Sequence, residues 1–333
     1  MNNIERFRGV LSFSKTLDRA PVAEWAGWWD LTVDAWRAQG LPDSLMTADE
    51  IRDWFGLDRL HQTSAQIRER GCPSAKSHGA PIILDRADYD EIRPLLFTDA
   101  CLQNTTRRFE QAAADENIAG AAHWMTLEGF FWFPRTLFGI ENHLLAFYDE
   151  PELMETINSD LCAFYEKVIE RLPDEYRPVF MTFAEDMSYN NGPMLSKTCY
   201  NRFVLPYYRR LVPLLQAKGI KVFIDTDGNV EPLIDWFLEG GIEGVLPLER
   251  MAGVDVPRIR CNYPGLLMLG GFDKTLMRLG EQAMRAEFER LAPVIASGGY
   301  IPAVDHQTPP DVSIENYRVF VALLDEYSRL AAR

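Results

Sequence analysis

The stretch Gly298-Gly-Tyr300-Ile-Pro302-Ala-Val-Asp305-His306-Gln-Thr-Pro309-Pro310-Asp311-Val-Ser313-Ile-Glu315-Asn316-Tyr317 reads as strand, loop and helix in turn. A short apolar run ends at an Asp-His pair, two prolines break the chain, and Ser313 is placed to cap the helix that follows. Polar, metal-capable side chains at the C-terminal end of a strand are where α/β barrels keep their chemistry. A second such stretch lies upstream, Val222-Phe-Ile-Asp225-Thr-Asp227-Gly228-Asn229. Together the two suggest a site built from His306, Asp225 and Asp227.

Working outward, short apolar runs alternate with helical patterns from about residue 117 onward. Candidate strands are Ile118 to Met125, Val179 to Phe183, Lys221 to Ile224, Gly244 to Leu248, Leu266 to Leu269 and Tyr300 to Val304. Between them, Glu281 to Ala296 places Met284, Phe288, Leu291 and Ile295 on one helical face. Strands alternating with helices mean a parallel sheet. No Gly-x-Gly-x-x-Gly turn follows an early strand, and polar residues recur after many strands: Glu185-Asp186, Asp225-Asp227, Glu249, Asp273 and Asp305-His306. An open sheet gathers such groups at its switch point, whereas a barrel brings them all to one mouth. The expectation is an α/β fold, a (β/α)8 TIM barrel, as one domain over residues 1–333 with N-terminal helical insertions. Residues 1–115 are the less regular part and 116–333 the regular repeats. Pro21 to Trp25 reads as a first strand and Ile82 to Leu84 as another, with helices at Thr47 to Phe55 and His61 to Arg70.

Composition limits the partners. Hydrophobic residues make up 47% of 333, enough for a sizeable core. Lys plus Arg is 34 against 49 Asp plus Glu, a net charge of −15, which argues against a duplex nucleic acid partner. No apolar run approaches the roughly 20 residues of a membrane helix, and Met1 to Arg8 lacks a secretory apolar core. Cys72, Cys101, Cys162, Cys199 and Cys261 are scattered and odd in number, which fits a reducing compartment. The expected location is cytoplasmic.

Each constellation has an ordinary reading beside the chemical one. Asp225-Thr-Asp227-Gly228-Asn229 is not a calcium loop, because that loop needs Gly at its sixth position and Glu at its twelfth. For both aspartates to reach one ion the chain must already have turned, which Gly228 permits. A lone histidine is more often a satisfied polar residue than a ligand, but the strand-end position of His306 favours function. His61, His78 and His143 read as structural, whereas His123, beside Trp124, is a candidate pocket residue. Glu185 and Asp186 are either a solvated turn or a further ligand and general acid. Aromatics cluster at Trp25, Trp28 and Trp29 and at Phe130, Phe131, Trp132 and Phe133. Most aromatics belong to cores, yet four in succession cannot all face inward from a helix, so some are candidates to line a mouth for a flat apolar substrate.

These segments resemble the uroporphyrinogen decarboxylase superfamily, a barrel family. The likeness is carried by Phe183-Ala-Glu-Asp186, Phe203-Val-Leu-Pro-Tyr-Tyr208, Asp225-Thr-Asp-Gly-Asn229, Gly270-Gly-Phe-Asp-Lys274, and Gly299-Tyr-Ile-Pro302 through Asn316-Tyr. The resemblance implies one of two chemistries. True decarboxylases carry an arginine-rich motif in the first strand's loop, but here the matching stretch is Pro21-Val-Ala-Glu24-Trp25-Ala-Gly27-Trp28-Trp29-Asp30, with no cation for a tetrapyrrole's carboxylates. The corrinoid-dependent methyltransferases carry a zinc site of His-x-Cys-Gly plus a Cys after the last strand. By that resemblance Asp225 and Asp227 fall on the His and first Cys, and His306 on the final Cys. The Asp-Thr-Asp-Gly and Asp-His-Gln-Thr-Pro-Pro forms look like the subgroup that demethylates phenyl methyl ethers.

The resemblance therefore implies a zinc-dependent methyltransferase, moving a methyl group from a small methoxylated aromatic to a corrinoid (cobalamin) acceptor carried by a partner protein. Asp225, Asp227 and His306 would be metal ligands. Glu185, Asp186 and His306 would be catalytic. Trp25, Trp28, Trp29, His123, Phe130 and Phe131 would contact substrate. Glu249 and Asp273 are weaker candidates. The alternatives are a decarboxylase-like lyase acting on a tetrapyrrole or other carboxylate, and a non-catalytic corrinoid or porphyrin carrier-binding protein. Relatives often pair, so a homodimer is compatible with the resemblance.

Overall fold

The computed structural model describes residues 1–332. Its centre is a parallel sheet of seven strands: β1 (Leu60–Ser64), β2 (Ala122–Glu128), β3 (Phe180–Ala184), β6 (Lys221–Asp225), β7 (Gly244–Leu246), β8 (Leu267–Phe272) and β9 (Tyr300–Val304), adjacent in that order. A two-strand antiparallel ribbon, β4 (Ser188–Tyr189) and β5 (Gly192–Pro193), stands over the end of β3. Helices connect the strands and cover the outer face. In the helix Glu281–Ser297, Met284, Phe288, Leu291 and Ile295 are all 0% exposed, so the apolar stripe read from the sequence is the face that packs. Burying each such side chain contributes about 1.5–3 kcal/mol. Ser313 caps Ile314–Ser328 by accepting from the Asn316 N–H.

The sheet curls around an interior layer of aromatics. Trp124 stacks on Phe180 at 5.4 Å, Phe180 meets Phe223 at 5.1 Å, and Trp25 leans on Trp124 at 6.4 Å. Side chains two residues apart share a strand face. The next interior positions toward the strands' C-terminal ends are therefore Thr126, Thr182 and Asp225. The Thr126 and Thr182 hydroxyls lie 3.1 Å apart, and the Trp124 indole donates to Thr182 at 2.9 Å. The interior thus changes from apolar to polar toward one rim, which becomes the mouth.

The ladder does not close. Pro21 to Trp25, expected as the first strand, pairs with neither edge as a strand but lies extended in the gap between β1 and β9. The Asp58 N–H donates to the Val22 carbonyl at 2.7 Å, and the Trp25 indole donates to the Val304 carbonyl at 2.8 Å. Pro21 has no N–H to offer a ladder. Two other expectations are corrected. Leu60–Ser64 is an edge strand rather than the start of a helix from His61 to Arg70, and Ile82 to Leu84 is irregular, tied by the Ile82 and Ile83 N–H groups to the Leu137 carbonyl. Among the described residues no helix is long and apolar enough to cross a membrane.

Candidate metal centre

Three loops at the mouth, after β6, β7 and β9, bring Asp227, Glu249 and His306 together, each offering a ligand atom within 4.8 Å of the others. His306 Nε2 lies 3.6 Å from Asp227 Oδ2. In a tetrahedral zinc site with bonds near 2.0–2.1 Å, neighbouring ligand atoms sit roughly 3.3 Å apart. The set of two carboxylates and an imidazole suits a divalent cation once its wider pairs, up to 4.8 Å apart, draw in toward that spacing, and three protein ligands would leave a fourth tetrahedral position for a substrate or water.

The local sequence explains how the loops are held. Gly228 adopts φ +78°, and its N–H donates to Glu249 Oε2 at 2.8 Å, which joins the first loop to the second. Thr226, buried, accepts from the Met187 and Ser188 N–H groups, while the Ser188 hydroxyl donates to the Asp227 carbonyl at 2.6 Å. The ribbon β4–β5 therefore clamps the Asp227 loop from above. Asp305 is fully buried and accepts from the Arg250 N–H at 2.9 Å and the Lys274 N–H at 3.2 Å, fixing the residues on either side of the site. Burial pushes its carboxyl up to about 6. Two non-glycine residues beside the site, Asp186 (φ 42°) and Leu248 (φ 69°), hold left-handed backbone, the strain that tends to gather at functional sites.

Electrostatically the mouth is short of positive charge. Burial raises the Asp225 carboxyl well above its ordinary range, and the nearby charges of Asp186 and Asp227 raise it further. Asp186 is raised by burial and by Asp227, with Arg135 opposing. The His306 imidazole is raised by its hydrogen bond to Asp227, against the opposing effect of burial. Lys274 is the nearest ammonium, 3.7 Å from Glu249 and 3.8 Å from Asp305. Several carboxylates facing one imidazole and one shared lysine suit a bound cation.

The expected residues part company here. Asp227 and His306 meet, and Glu249, the weaker candidate, joins them. Asp225 lies outside this group, at the end of β6 in register with Ala184 and on the face that carries Phe223. Asp186 stands at the mouth, its carboxyl close enough to sense Asp227 and His306. Glu185 does not: it is 0% exposed, accepting from the Phe130, Phe131 and Trp132 N–H groups and from the Tyr208 hydroxyl, and so caps the helix Trp132–Asp149. Burial pushes its carboxyl up to about 7 even so.

Among the aromatics, Trp25 reaches the site, its ring 6.2 Å from that of His306. Trp28 packs away from the mouth against Trp36, Phe55 and Tyr317, and Trp29 is an exposed rim residue. His123 sits at the N-terminal end of β2, 5.2 Å from the Tyr176 ring and at the opposite end of the sheet from the mouth. Phe130 and Phe131 are fully buried among Tyr165, Tyr207, His143 and Phe147. Glu24 is buried beside Tyr317, and burial pushes its carboxyl up to about 8. Lys274 is a site residue that sequence reasoning misses; its signal is a lysine just past a strand's Gly-Gly-Phe-Asp end.

A methyltransferase from Methanosarcina mazei matches over 98% of this chain and 99% of its own at a TM-score of 0.68 and 14% identity, which establishes a common fold. A protein from Listeria monocytogenes, described as a vitamin-B12 independent methionine synthase, matches over 93% of this chain and 97% of its own at 0.47 and 12% identity, and nothing further rests on it. No curated protein matches the sequence. The family model for uroporphyrinogen decarboxylase (URO-D) matches residues 136–327, the stretch that runs from the helix after β2 through every loop of the cation cluster. Since that is more than half of the chain, the protein belongs to the uroporphyrinogen decarboxylase (URO-D) family.

Proposed function

We propose that this protein is a metal-dependent methyltransferase, taking a methyl group from a small methoxylated aromatic and passing it to the reduced cobalt of a corrinoid carried by a partner protein. The observation that carries the reading is the convergence of Asp227, Glu249 and His306 on one point at the mouth. The reading treats the seven strands and the extended segment 21–25 as a (β/α)8 barrel with that point at its rim.

The donor set is all oxygen and nitrogen, with no thiolate. That is a harder site, suited to an oxygen substrate rather than a thiol. Zinc, when bound, supplies Lewis acidity toward the ether or a neighbouring phenol oxygen. The balance of the reaction is simple. The methyl–oxygen bond breaks and a carbon–cobalt bond forms, the cobalt gives up two electrons, and the aryl oxygen keeps the bonding pair. Phenols have a pKa of about 10, so neutralising that oxygen at pH 7 is worth several kcal/mol. Asp186, raised by burial and by Asp227, is placed to hold the proton that the phenolate finally takes. Asp225, whose carboxyl burial and the charges of Asp186 and Asp227 push toward the protonated form, stands behind the ion as a neutral neighbour rather than a ligand. Trp25, beside His306, offers a flat wall for the ring.

The decarboxylase reading is weaker on one observation: residues 21–30 contain no lysine or arginine for a tetrapyrrole's carboxylates. The test is to incubate the purified protein with reduced free corrinoid and a panel of methoxylated aromatics. Methylated corrinoid, read by its absorbance, is expected with protein and is expected to disappear after chelation. Protein that carries bound zinc yet methylates nothing across the panel, while releasing carbon dioxide from a carboxylated substrate, would contradict the reading.

A further inference from the structure

Resting on that reading, we infer that Lys274 tunes the cation centre from outside its ligand shell: its ammonium lowers the affinity of Asp227, Glu249 and His306 for the cation and leaves the bound cation more electrophilic. The loop after β8 gives the centre no ligand, although β8 lies between two strands, β7 and β9, whose loops do. It gives a lysine instead. Asp273 accepts from the Thr275 N–H at 2.9 Å and so starts the short helix Lys274–Leu279, whose first N–H, that of Lys274, donates to the buried Asp305 at 3.2 Å. The Gly271 N–H donates to the Pro247 carbonyl at 2.9 Å, which ties the end of β8 to the loop that carries Glu249. The lysine is therefore rooted between Glu249 and Asp305.

Lys274 Nζ lies 3.7 Å from Glu249 Oε1 and 3.8 Å from Asp305 Oδ1. Both separations exceed the reach of a hydrogen bond, so the ammonium acts by its charge rather than by direction. Among the described residues no other lysine or arginine comes within 4.0 Å of Asp227, Glu249 or Asp305. The Lys274 side chain is 12% exposed and that of Asp305 0%, so solvent and salt screen this charge little. Glu249 does not need the lysine to keep its place, because its other oxygen accepts from the Gly228 N–H at 2.8 Å. Two carboxylates and a neutral imidazole balance a divalent cation, and the ammonium balances Asp305. Two effects follow. The ammonium repels a cation held by the same carboxylate, and by sharing Glu249 it draws charge away from the ligand set. Outer partners of metal ligands tune a metal in this way, and a cation less well neutralised by its ligands is the stronger Lewis acid toward an oxygen substrate. The field of Lys274 also reaches His306, where it opposes protonation of the imidazole.

The test is zinc titration of the whole protein against a competing chelator, for the wild type, Lys274→Met, Lys274→Gln and Lys274→Arg, with the visible spectrum of cobalt(II) bound in place of zinc as a report on ligand geometry. Both neutral variants are expected to bind zinc roughly ten- to a hundredfold more tightly than the wild type, the range over which outer partners shift metal affinity. Lys274→Arg, which keeps the charge, is expected to stay within about threefold of the wild type. The cobalt spectrum is expected to keep its wild-type shape in all three. Zinc affinity unchanged or weakened in Lys274→Met and Lys274→Gln would overturn the inference, and so would a Lys274→Arg protein that binds as tightly as they do. An altered cobalt spectrum in the neutral variants would show that the lysine holds Glu249 in place, and would overturn it too. If Lys274→Met does not fold, Lys274→Gln decides alone. Zinc binding requires no methyl donor, so the result stands apart from the proposed reaction. Tighter zinc in the neutral variants, with no methylated corrinoid formed by the wild type, sustains the role of Lys274 and removes the methyltransferase reading. Methylated corrinoid from the wild type, with zinc affinity indifferent to Lys274, sustains that reading and removes the role.

Discussion

At the scale of single residues, the account separates side chains that face the mouth from neighbours that do not. Asp227 and His306 are partly exposed at the rim, with side chains 43% and 26% accessible, so removing either should leave the fold intact. Asp227→Ala and His306→Ala are each expected to change unfolding free energy by no more than about 0.5 kcal/mol in the metal-free protein. Both should lower bound zinc from near one per chain to near zero by elemental analysis. Glu185 predicts the reverse. Its carboxylate serves three buried N–H groups and a tyrosine hydroxyl, so Glu185→Ala should cost at least about 3 kcal/mol in denaturant unfolding. Little change on that substitution would mean the cap is not what it is described to be. His306 and Asp227 were legible in the sequence because strand-end position and side-chain chemistry coincided. Glu185 and Asp186 were not separable, because adjacent residues at a strand end point in opposite directions and the sequence does not say which one faces the mouth. Glu249 sits in Leu-Pro-Leu-Glu-Arg, which reads as an ordinary turn until Gly228 is seen bonded to it.

At the scale of elements, glycines at two turns shape the site. A Cβ on Gly228 would meet the Tyr189 backbone at 2.6 Å in a left-handed conformation, so Gly228→Ala should push the ribbon off the Asp227 loop. The expected loss is about 1–3 kcal/mol of stability together with weakened zinc binding. Unchanged zinc affinity would show that the ribbon does not position the loop. Gly139 interrupts the helix Trp132–Asp149 at φ +75° and lets residues 79–81 approach closely. β3 and β6 to β9 were legible within a few residues, because each is a short apolar run between turn residues, whereas the two-residue strands of the ribbon β4–β5 carry no such run. β1 was not, since Leu-His-Gln-Thr-Ser sets exposed polar residues such as Gln62, bonded to Thr126, among its buried ones and carries no apolar alternation. The segment 21–25, expected as the first strand, is not one, because side-chain bonds and a lone backbone bond from Asp58 stand in for the ladder there.

At the scale of the whole molecule, the buried acids set the pH dependence of stability. Burial raises Glu24 to about 8 and Glu185 to about 7 in the folded chain. Unfolded, both titrate near 4.3. Between those values the folded state binds more protons than the unfolded state, so stability falls as pH rises. The melting temperature of metal-free protein should therefore drop from pH 5.5 to pH 8.5, and Glu24→Gln should flatten that slope; a melting temperature that rises over the range would contradict the assignment. The net charge of −15 acts in the same direction, through self-repulsion as the last carboxyls ionise. The central claim is that loops from three separate strands hold one cation through Asp227, Glu249 and His306, with Asp225 outside its ligand shell. Zinc titration of the wild type against Glu249→Ala and Asp225→Asn tests it most directly. One tight site in the wild type, kept within about tenfold by Asp225→Asn and lost in Glu249→Ala, is the predicted result; tight binding that survives Glu249→Ala and vanishes in Asp225→Asn would contradict it.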